Sequence, residues 1–282
     1  MKIIDFTKPA SIEETCSLLN QLDSKAVITA GGTSFQFKTG NAVKTAVDIN
    51  ALNLAGIEVR EDSFCIGALT KIAELQNFTN NGWVLGKVAK KLSTQQIRNM
   101  CTLGGCVAQV FPWSDFPVVL LALDAEINTV NSKKSKAYRA HDFFKQQPAK
   151  ILNSKTLVTD ICISKVLDSS GFGYHKEVRT SGGFSTLTVA AYIKIDNNKI
   201  ADIKLAAGGA LGLPIRLTAI ENELKGQRAS SSLFNDIVPP HAQKIKWQAK
   251  EGASDEYIAH LAKTIIIDVL NEALKESASE AK

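Results

Sequence analysis

Two short glycine segments carry the residues best suited to holding a ligand. Ala30-Gly31-Gly32-Thr33-Ser34 directly follows the apolar run Ala26–Thr29, and Thr102-Leu103-Gly104-Gly105 follows a β-compatible run inside the stretch from Thr94 to Glu126. A glycine pair at such a place lets the backbone turn tightly and approach a ligand closely. Successive exposed N–H groups in a turn form a concavity that suits phosphate. Two such turns would suit a pyrophosphate. Thr102 adds a hydroxyl, and Asp115 can accept from a sugar hydroxyl. The plainer reading of Gly104-Gly105 is an ordinary turn before a buried helix.

Other chemistries find little support. GxGxxG and GxxxxGK are missing, as are HExxH, a Ser-His-Asp order and a paired-carboxylate motif. The five cysteines (Cys16, Cys65, Cys101, Cys106 and Cys162) are odd in number, widely spaced and without CxxC. That argues against a disulfide framework and against zinc or iron–sulfur ligation, and for reduced thiols in the cytoplasm.

The elements that must position these residues follow from periodicity. A short strand at 2–6 precedes Ser11-Ile12-Glu13-Glu14, a capping box opening a helix with Ile12, Cys16, Leu19 and Leu22 on one face. Strands at 26–29 and 45–49 complete a βαβ-like unit, with the first glycine pair at a strand's C-terminal end, where open α/β sheets bind ligands. A hairpin is expected at 57–66, helices after Thr70 and at 83–92, a second hairpin across the basic turn 131–136, and a strand at 156–163. Asp168 to Gly173 reads as a flexible linker. Beyond it a hairpin over residues 196–199, short helices at 218–224 and 231–238, and a long helix at 254–276 are expected, then a polar tail at 277–282.

A chain of 282 residues can bury a sizeable core. Its 45% hydrophobic and 22% charged content is that of a soluble globular protein, and a net charge of +5 is too weak to imply nucleic acid. The N-terminus reaches Asp5 and Pro9 too soon for a signal peptide, and no apolar run is long enough to span a membrane.

AGGTS at 30–34, IRNMCTLGG at 97–105 and SDFPVVLLALDAE at 114–126 together resemble the FAD-binding (medium) subunit of the molybdenum hydroxylases, the carbon monoxide dehydrogenase, xanthine dehydrogenase and aldehyde oxidoreductase group. GYHKEVR at 173–179 and DIKLAAGGALGLPIR at 202–216 extend the resemblance over almost the whole chain. It implies an α+β fold: a PCMH-type FAD-binding module of two α/β subdomains (1–55 and 56–167), then a C-terminal domain (168–282) with a three-stranded antiparallel sheet and helices.

Carried over residue by residue, the resemblance implies that Val27, Ile28, Thr29, Ala30, Gly31, Gly32, Thr33 and Ser34 wrap the FAD pyrophosphate. Thr102, Gly104 and Gly105 would hold its second side, and Asp115 would accept from a ribose or ribityl hydroxyl. Leu157 and Val158 would contact the flavin or adenine edge. Lys176 would place positive charge near the isoalloxazine or the phosphates. Simpler roles stay open: a surface lysine for Lys176, a helix cap for Asp115, and ordering of its loop for Arg98. Cys106 stands where the family usually has Asn or Asp, and Val110-Phe111-Pro112-Trp113 replaces a small polar residue before the proline. Phe111 and Trp113 could pack against the flavin or serve as core or interface.

The resemblance further implies electron transfer, in which the flavin carries the chemistry. A large subunit would hold the molybdenum cofactor, and a small one two [2Fe–2S] clusters. This chain would pass their electrons to NAD, oxygen or a quinone-type acceptor, in a dimer of heterotrimers. The alternatives are a scaffold subunit that has lost FAD and, further off, a self-contained FAD oxidase.

Overall fold

The computed structural model describes residues 2–37, 42–248 and 253–279. The chain builds three sheets and three apolar clusters, and two of the clusters are shared between neighbouring parts. The first comprises β1 (Lys2–Thr7), α1 (Ile12–Leu22), β2 (Ala26–Thr29) and β3 (Val43–Asp48), parallel in the order β1-β3-β2. The Ser11 cap forms as expected, but Glu14 does not close the capping box on the Ser11 N–H and reaches the residue before it. Ser11 Oγ accepts from Glu14 N at 3.1 Å, and the Glu14 carboxylate accepts from Ala10 N at 2.7 Å. Cys16 and Leu19 of α1 are buried with Ala26 and Val47, so the helix covers one face and leaves the C-terminal end of β2 open.

The second part runs through β4 (Ile57–Val59), β5 (Ser63–Gly67), α2 (Ile72–Asn77), α3 (Leu85–Lys91), α4 (Gln95–Met100), α5 (Leu103–Ala108), α6 (Phe116–Ala122), β6 (Glu126–Val130), β7 (Ser135–Arg139), α7 (Ala140–Phe144), α8 (Pro148–Leu152) and β8 (Leu157–Ser164). Its sheet is antiparallel, in the order β4-β5-β8-β6-β7. All seven residues of α6 are buried. They fill the space between this sheet and the third, whose Ala190 and Ala206 join the same cluster.

The expectation of five reduced thiols is corrected here. Cys65 on β5 and Cys162 on β8 are directly cross-strand, with Cα atoms 4.1 Å apart, and they form a disulfide. Their separation of 97 residues hid the pairing, which only the sheet register creates. Among the described residues, Cys65, Asp160 and Cys162 are the group close enough to suggest a metal site, but the bonded sulfurs offer no thiolate.

The third part holds β9 (Ser170–Glu177), β10 (Leu187–Asp196), β11 (Lys199–Gly208), β12 (Ile215–Arg216), α9 (Thr218–Leu224), α10 (Ser231–Ala242) and α11 (Asp255–Ser279). Its antiparallel sheet has four strands, β12-β11-β10-β9, rather than three. The fourth is the two-residue β12, too short to show an alternating pattern. The hairpin turns on Asn197 and Asn198, whose φ of 48° and 60° are left-handed values that asparagine tolerates.

Two further expectations change. The linker is not flexible throughout, because β9 starts at Ser170, and a Cβ at Gly171 or Gly173 would collide with the carbonyls of Ala273 or Val269. Those glycines let α11 lie close on the strand. Helix α10 continues to Ala242 through Pro239 and Pro240. Proline forfeits its own N–H bond but keeps a helical φ, and Val238 and Ala242 hold the buried face across the interruption.

Helix α11 runs to Ser279, so residues 277–279 of the expected tail are helical instead, and 280–282 lie outside the described residues. Its Glu272 and Glu276 accept from Tyr174 N at 2.8 Å and Phe172 N at 3.1 Å, and Lys87 of α3 bridges both carboxylates at 3.2 and 2.8 Å. These bonds tie the third part to the second. Among the described residues, no helix is long and apolar enough to cross a membrane.

Candidate functional site

A cavity of about 410 Å³ opens where the three parts meet. All fifteen residues picked from the sequence line it: Val27 through Ser34, Thr102, Gly104, Gly105, Asp115, Leu157, Val158 and Lys176. They come from five places, one of them the start of α6, which gives Asp115. The C-terminal end of β2 and its turn give one wall, and the α4–α5 junction faces it. The start of β8 gives the apolar floor, and β9 contributes Lys176.

The first glycine turn has two requirements. Gly32 adopts φ +68°, in the left-handed region, and a Cβ there would meet only Thr29 Oγ1 at 4.0 Å. Its peptide is therefore bare toward open space, as a backbone cradle for a ligand needs. Gly31 has the opposite constraint: a Cβ would strike the carbonyl of Met100 at the end of α4. The first turn thus packs against the second glycine segment.

That second segment is not the strand-to-turn arrangement expected from sequence. Gly104 and Gly105 lie in the first turn of α5, and Thr102 is its N-cap, with Oγ1 accepting from Gly105 N at 3.1 Å. Thr102 is 2% exposed, so its hydroxyl serves the helix. Gly104 N donates to Ala68 O at 2.8 Å, and a Cβ at Gly104 would meet the Ala68 Cβ at 2.6 Å. Closeness to the neighbouring chain explains this glycine. Arg98 orders the approach, donating to Leu92 O at 2.7 Å and Ser93 O at 2.8 Å.

Lys176 is not a surface lysine, and Asp115 stands at the N-cap position of α6 but makes no capping hydrogen bond with its side chain. Lys176 Nζ lies 2.8 Å from Asp115 Oδ2, and both side chains are buried. Asp115 Oδ1 accepts from Thr188 Oγ1 at 2.7 Å, which in turn takes a hydrogen bond from Ser185 Oγ at 2.6 Å. No N–H of α6 reaches the carboxylate. Burial pushes the Asp115 carboxyl above its usual range, against the opposing pull of Lys176 and Thr188. Burial also pushes the Tyr174 phenol well up, with the charge of Asp115 adding to it. The cavity therefore meets a neutralised ion pair, not a free cation.

Phe111 and Trp113 are stacked, with ring centres 5.0 Å apart. Phe37 meets both edge-on, and Phe184 meets Trp113 at 4.8 Å. The four rings form one rim of the cavity. Phe37 and Phe184 carry no sequence signal for this position, since each lies far along the chain from the other rings.

The sequence reading also gave no role to Cys101. Its Sγ is 3.4 Å from Cys106 Sγ, and both line the cavity. The hydrogen bond from Cys106 lowers the Cys101 thiol to about 7, aided by Thr33 and the charge of Lys71. Cys106 is pushed well up by its bond to Cys101 and by burial. Two cysteines flanking one Gly-Gly pair was the available signal.

Fold and site together define a class: a three-sheet protein whose two glycine segments and buried Lys–Asp pair enclose one ligand cavity. The family of the FAD binding domain in molybdopterin dehydrogenase matches residues 2–165, and that of the CO dehydrogenase flavoprotein C-terminal domain matches residues 172–273. The glyceraldehyde dehydrogenase medium chain of Sulfolobus acidocaldarius is 33% identical over 233 residues, covering 80% of this chain and 82% of its own. The nicotine 6-hydroxylase medium subunit of Paenarthrobacter nicotinovorans is 25% identical, covering 96% of this chain and 97% of its own. In fold, a chain of the carbon monoxide dehydrogenase of Hydrogenophaga pseudoflava superposes with a TM-score of 0.91 at 22% identity, over 97% of this chain and 98% of that one. The chain belongs to the FAD-binding medium subunits of the molybdenum hydroxylases.

Proposed function

We propose that this chain holds FAD in the cavity between its two glycine segments and acts as the electron-transfer subunit of a cytoplasmic molybdenum hydroxylase. The observation that carries this reading is the meeting of both glycine segments, the apolar floor and the aromatic rim around one cavity. The residues fit the group. The bare peptide at Gly32 accepts close approach of an anion. Leu157 and Val158 present apolar surface for a ring edge, and the rings of Phe111 and Trp113 can cover a planar heterocycle. When bound, FAD supplies the one- and two-electron chemistry.

The protein's own contribution is placement. Asp115 holds Lys176 at a fixed point of the wall, and Thr188 and Ser185 fix Asp115. The paired charges leave the wall polar without a strong net field. The aromatic rim and the floor residues Leu157 and Val158 give part of the cavity an apolar lining. In the assembly, electrons come from [2Fe–2S] clusters of a small subunit, a large subunit holds the molybdenum cofactor, and an acceptor such as NAD or oxygen takes the electrons away. Two such heterotrimers pair.

The test is to purify the chain from its native host, record its absorbance between about 300 and 600 nm, where bound flavins absorb, identify the released cofactor and weigh the co-purifying subunits. FAD together with molybdenum- and iron-containing partners is the expected result. A colourless protein that brings down the same partners would overturn the electron-transfer role and leave a scaffold.

A further inference from the structure

Cys101 ends α4 and Cys106 lies on α5, so the α4–α5 junction brings their sulfurs to 3.4 Å. That is hydrogen-bond contact between two unbonded thiols, a short movement from a disulfide. Both are half-buried and line the open cavity, which gives a small polar reagent access.

Their surroundings differ. Cys101 takes a hydrogen bond from Thr33 and feels the charge of Lys71, whereas Cys106 sits deeper and faces the carboxylate of Asp115. The thiolate thus settles on Cys101, and Cys106 stays a thiol beside it. An accessible thiolate next to a resolving thiol is the arrangement that reacts selectively with oxidants.

We propose that Cys101 and Cys106 are a redox-active dithiol, a site that a hydroperoxide oxidises to an intramolecular disulfide on the cavity wall. In the first step the Cys101 thiolate attacks a peroxide oxygen. An S–O bond forms, the O–O bond breaks, and the departing oxygen takes a proton to leave as water or an alcohol. In the second step the Cys106 sulfur attacks the Cys101 sulfenic sulfur. An S–S bond forms, the S–O bond breaks, and the hydroxide leaves as water with the Cys106 proton. The two thiols lose two hydrogens, and the peroxide is reduced. A small thiol restores the pair. The reaction needs no flavin, so its failure and a failure of the FAD reading are separate results.

The other cysteines are internal controls. Cys65 and Cys162 are already bonded, and Cys16 is a buried thiol whose ionisation is suppressed by burial and by Glu13. The test treats the full chain with hydrogen peroxide, unfolds it in denaturant with maleimide to block every remaining thiol, and maps tryptic peptides. The peptide from Asn99 to Lys133 contains both cysteines. It should lose two hydrogens and escape the maleimide, while Cys16 stays labelled, and dithiothreitol should reverse the change. In Cys106→Ser, dimedone should trap a sulfenic acid on Cys101, and Cys101→Ser should give no dimedone adduct at position 106. An unchanged peptide, or a bond to Cys16 or between chains, would overturn the proposal. The wild-type map decides even if a variant fails to fold.

Discussion

Lys176 and Asp115 neutralise each other inside the cavity wall, with Nζ 2.8 Å from Oδ2 and both side chains buried. Removing one partner strands a buried charge, which costs about 3–5 kcal/mol, whereas replacing both with apolar residues is often nearly neutral. Asp115→Ala should therefore lower the stability of the FAD-free protein by about that amount. The pair Asp115→Leu with Lys176→Met should lose less than either single change. Urea midpoints of the cofactor-free proteins measure this. A loss below about 1 kcal/mol for Asp115→Ala is the size seen for exposed pairs and would show that solvent reaches the pair.

Gly31 and Gly32 stand side by side for different reasons, and alanine at each should separate them. At Gly31 the new Cβ strikes the Met100 carbonyl, so the two glycine segments must move apart. Gly31→Ala should destabilise the protein whether or not FAD is present. At Gly32 the space is open, and only φ +68° opposes a side chain, a cost of about 1–2 kcal/mol. Gly32→Ala should fold and bind FAD more weakly. Thermal melts with and without FAD measure both. Equal losses in the cofactor-free proteins would contradict the assignment.

The sequence made some of this legible and hid the rest, for reasons of range. Ser11, Cys16 and Leu19 declare α1 because capping and helical period are local. The glycine segments were visible because a chain reversal needs particular residues on the spot. The pairing of Cys65 with Cys162 and of Asp115 with Lys176 was not, since each depends on strand register or on docking of α6 against β9 and β10. The helical state of Gly104 and Gly105 was missed because glycine argues against helix. The Thr102 cap and the fit against Ala68 outweigh that preference.

The Cys101 thiol, held near 7 by its hydrogen bond from Cys106, gives a pH-dependent signal. The thiolate is the nucleophile, so alkylation should accelerate as pH rises and reach half its plateau near pH 7. Cys106 should react more slowly throughout, since its ionisation is suppressed by Cys101 and by burial. Iodoacetamide rates followed by peptide mass between about pH 5.5 and 9, which brackets the ordinary thiol value, test this. A midpoint near about 8.5, that ordinary value, would mean that the two sulfurs do not interact. In Cys106→Ala the midpoint should rise, because the hydrogen bond that favours the Cys101 thiolate is removed.

The disulfide between Cys65 and Cys162 joins β5 to β8 in the middle of the five-stranded sheet and closes a loop of 97 residues. A cross-link over so long a loop constrains the unfolded chain, an effect of about 2–5 kcal/mol. Under non-reducing conditions, thiol titration of the unfolded protein should find three free cysteines: Cys16, Cys101 and Cys106. Reduction should lower the urea midpoint. The strands should still pair, because Phe64, Ile66, Ile161 and Ile163 bury the same seam without it. Five titratable thiols in protein never exposed to reductant would refute the bond.

Trp113 gives a direct optical reading of the cavity. Of the three tryptophans, it alone lies on the cavity rim: Trp83 packs against Phe64 and Phe78, and Trp247 is buried in the C-terminal cluster with its indole N–H donating to Ala242 O at 2.9 Å. A planar ring entering beside the Phe111–Trp113 stack makes face or edge contact with the indole and should quench its fluorescence. Titrating FAD into the cofactor-free chain should therefore quench a single component of the emission. Trp113→Phe should abolish that component while FAD still binds, since the apolar rim is kept. Trp83→Phe should leave it intact. Quenching that survives Trp113→Phe and disappears with Trp83→Phe would place the flavin beside Trp83, outside the cavity of the two glycine segments.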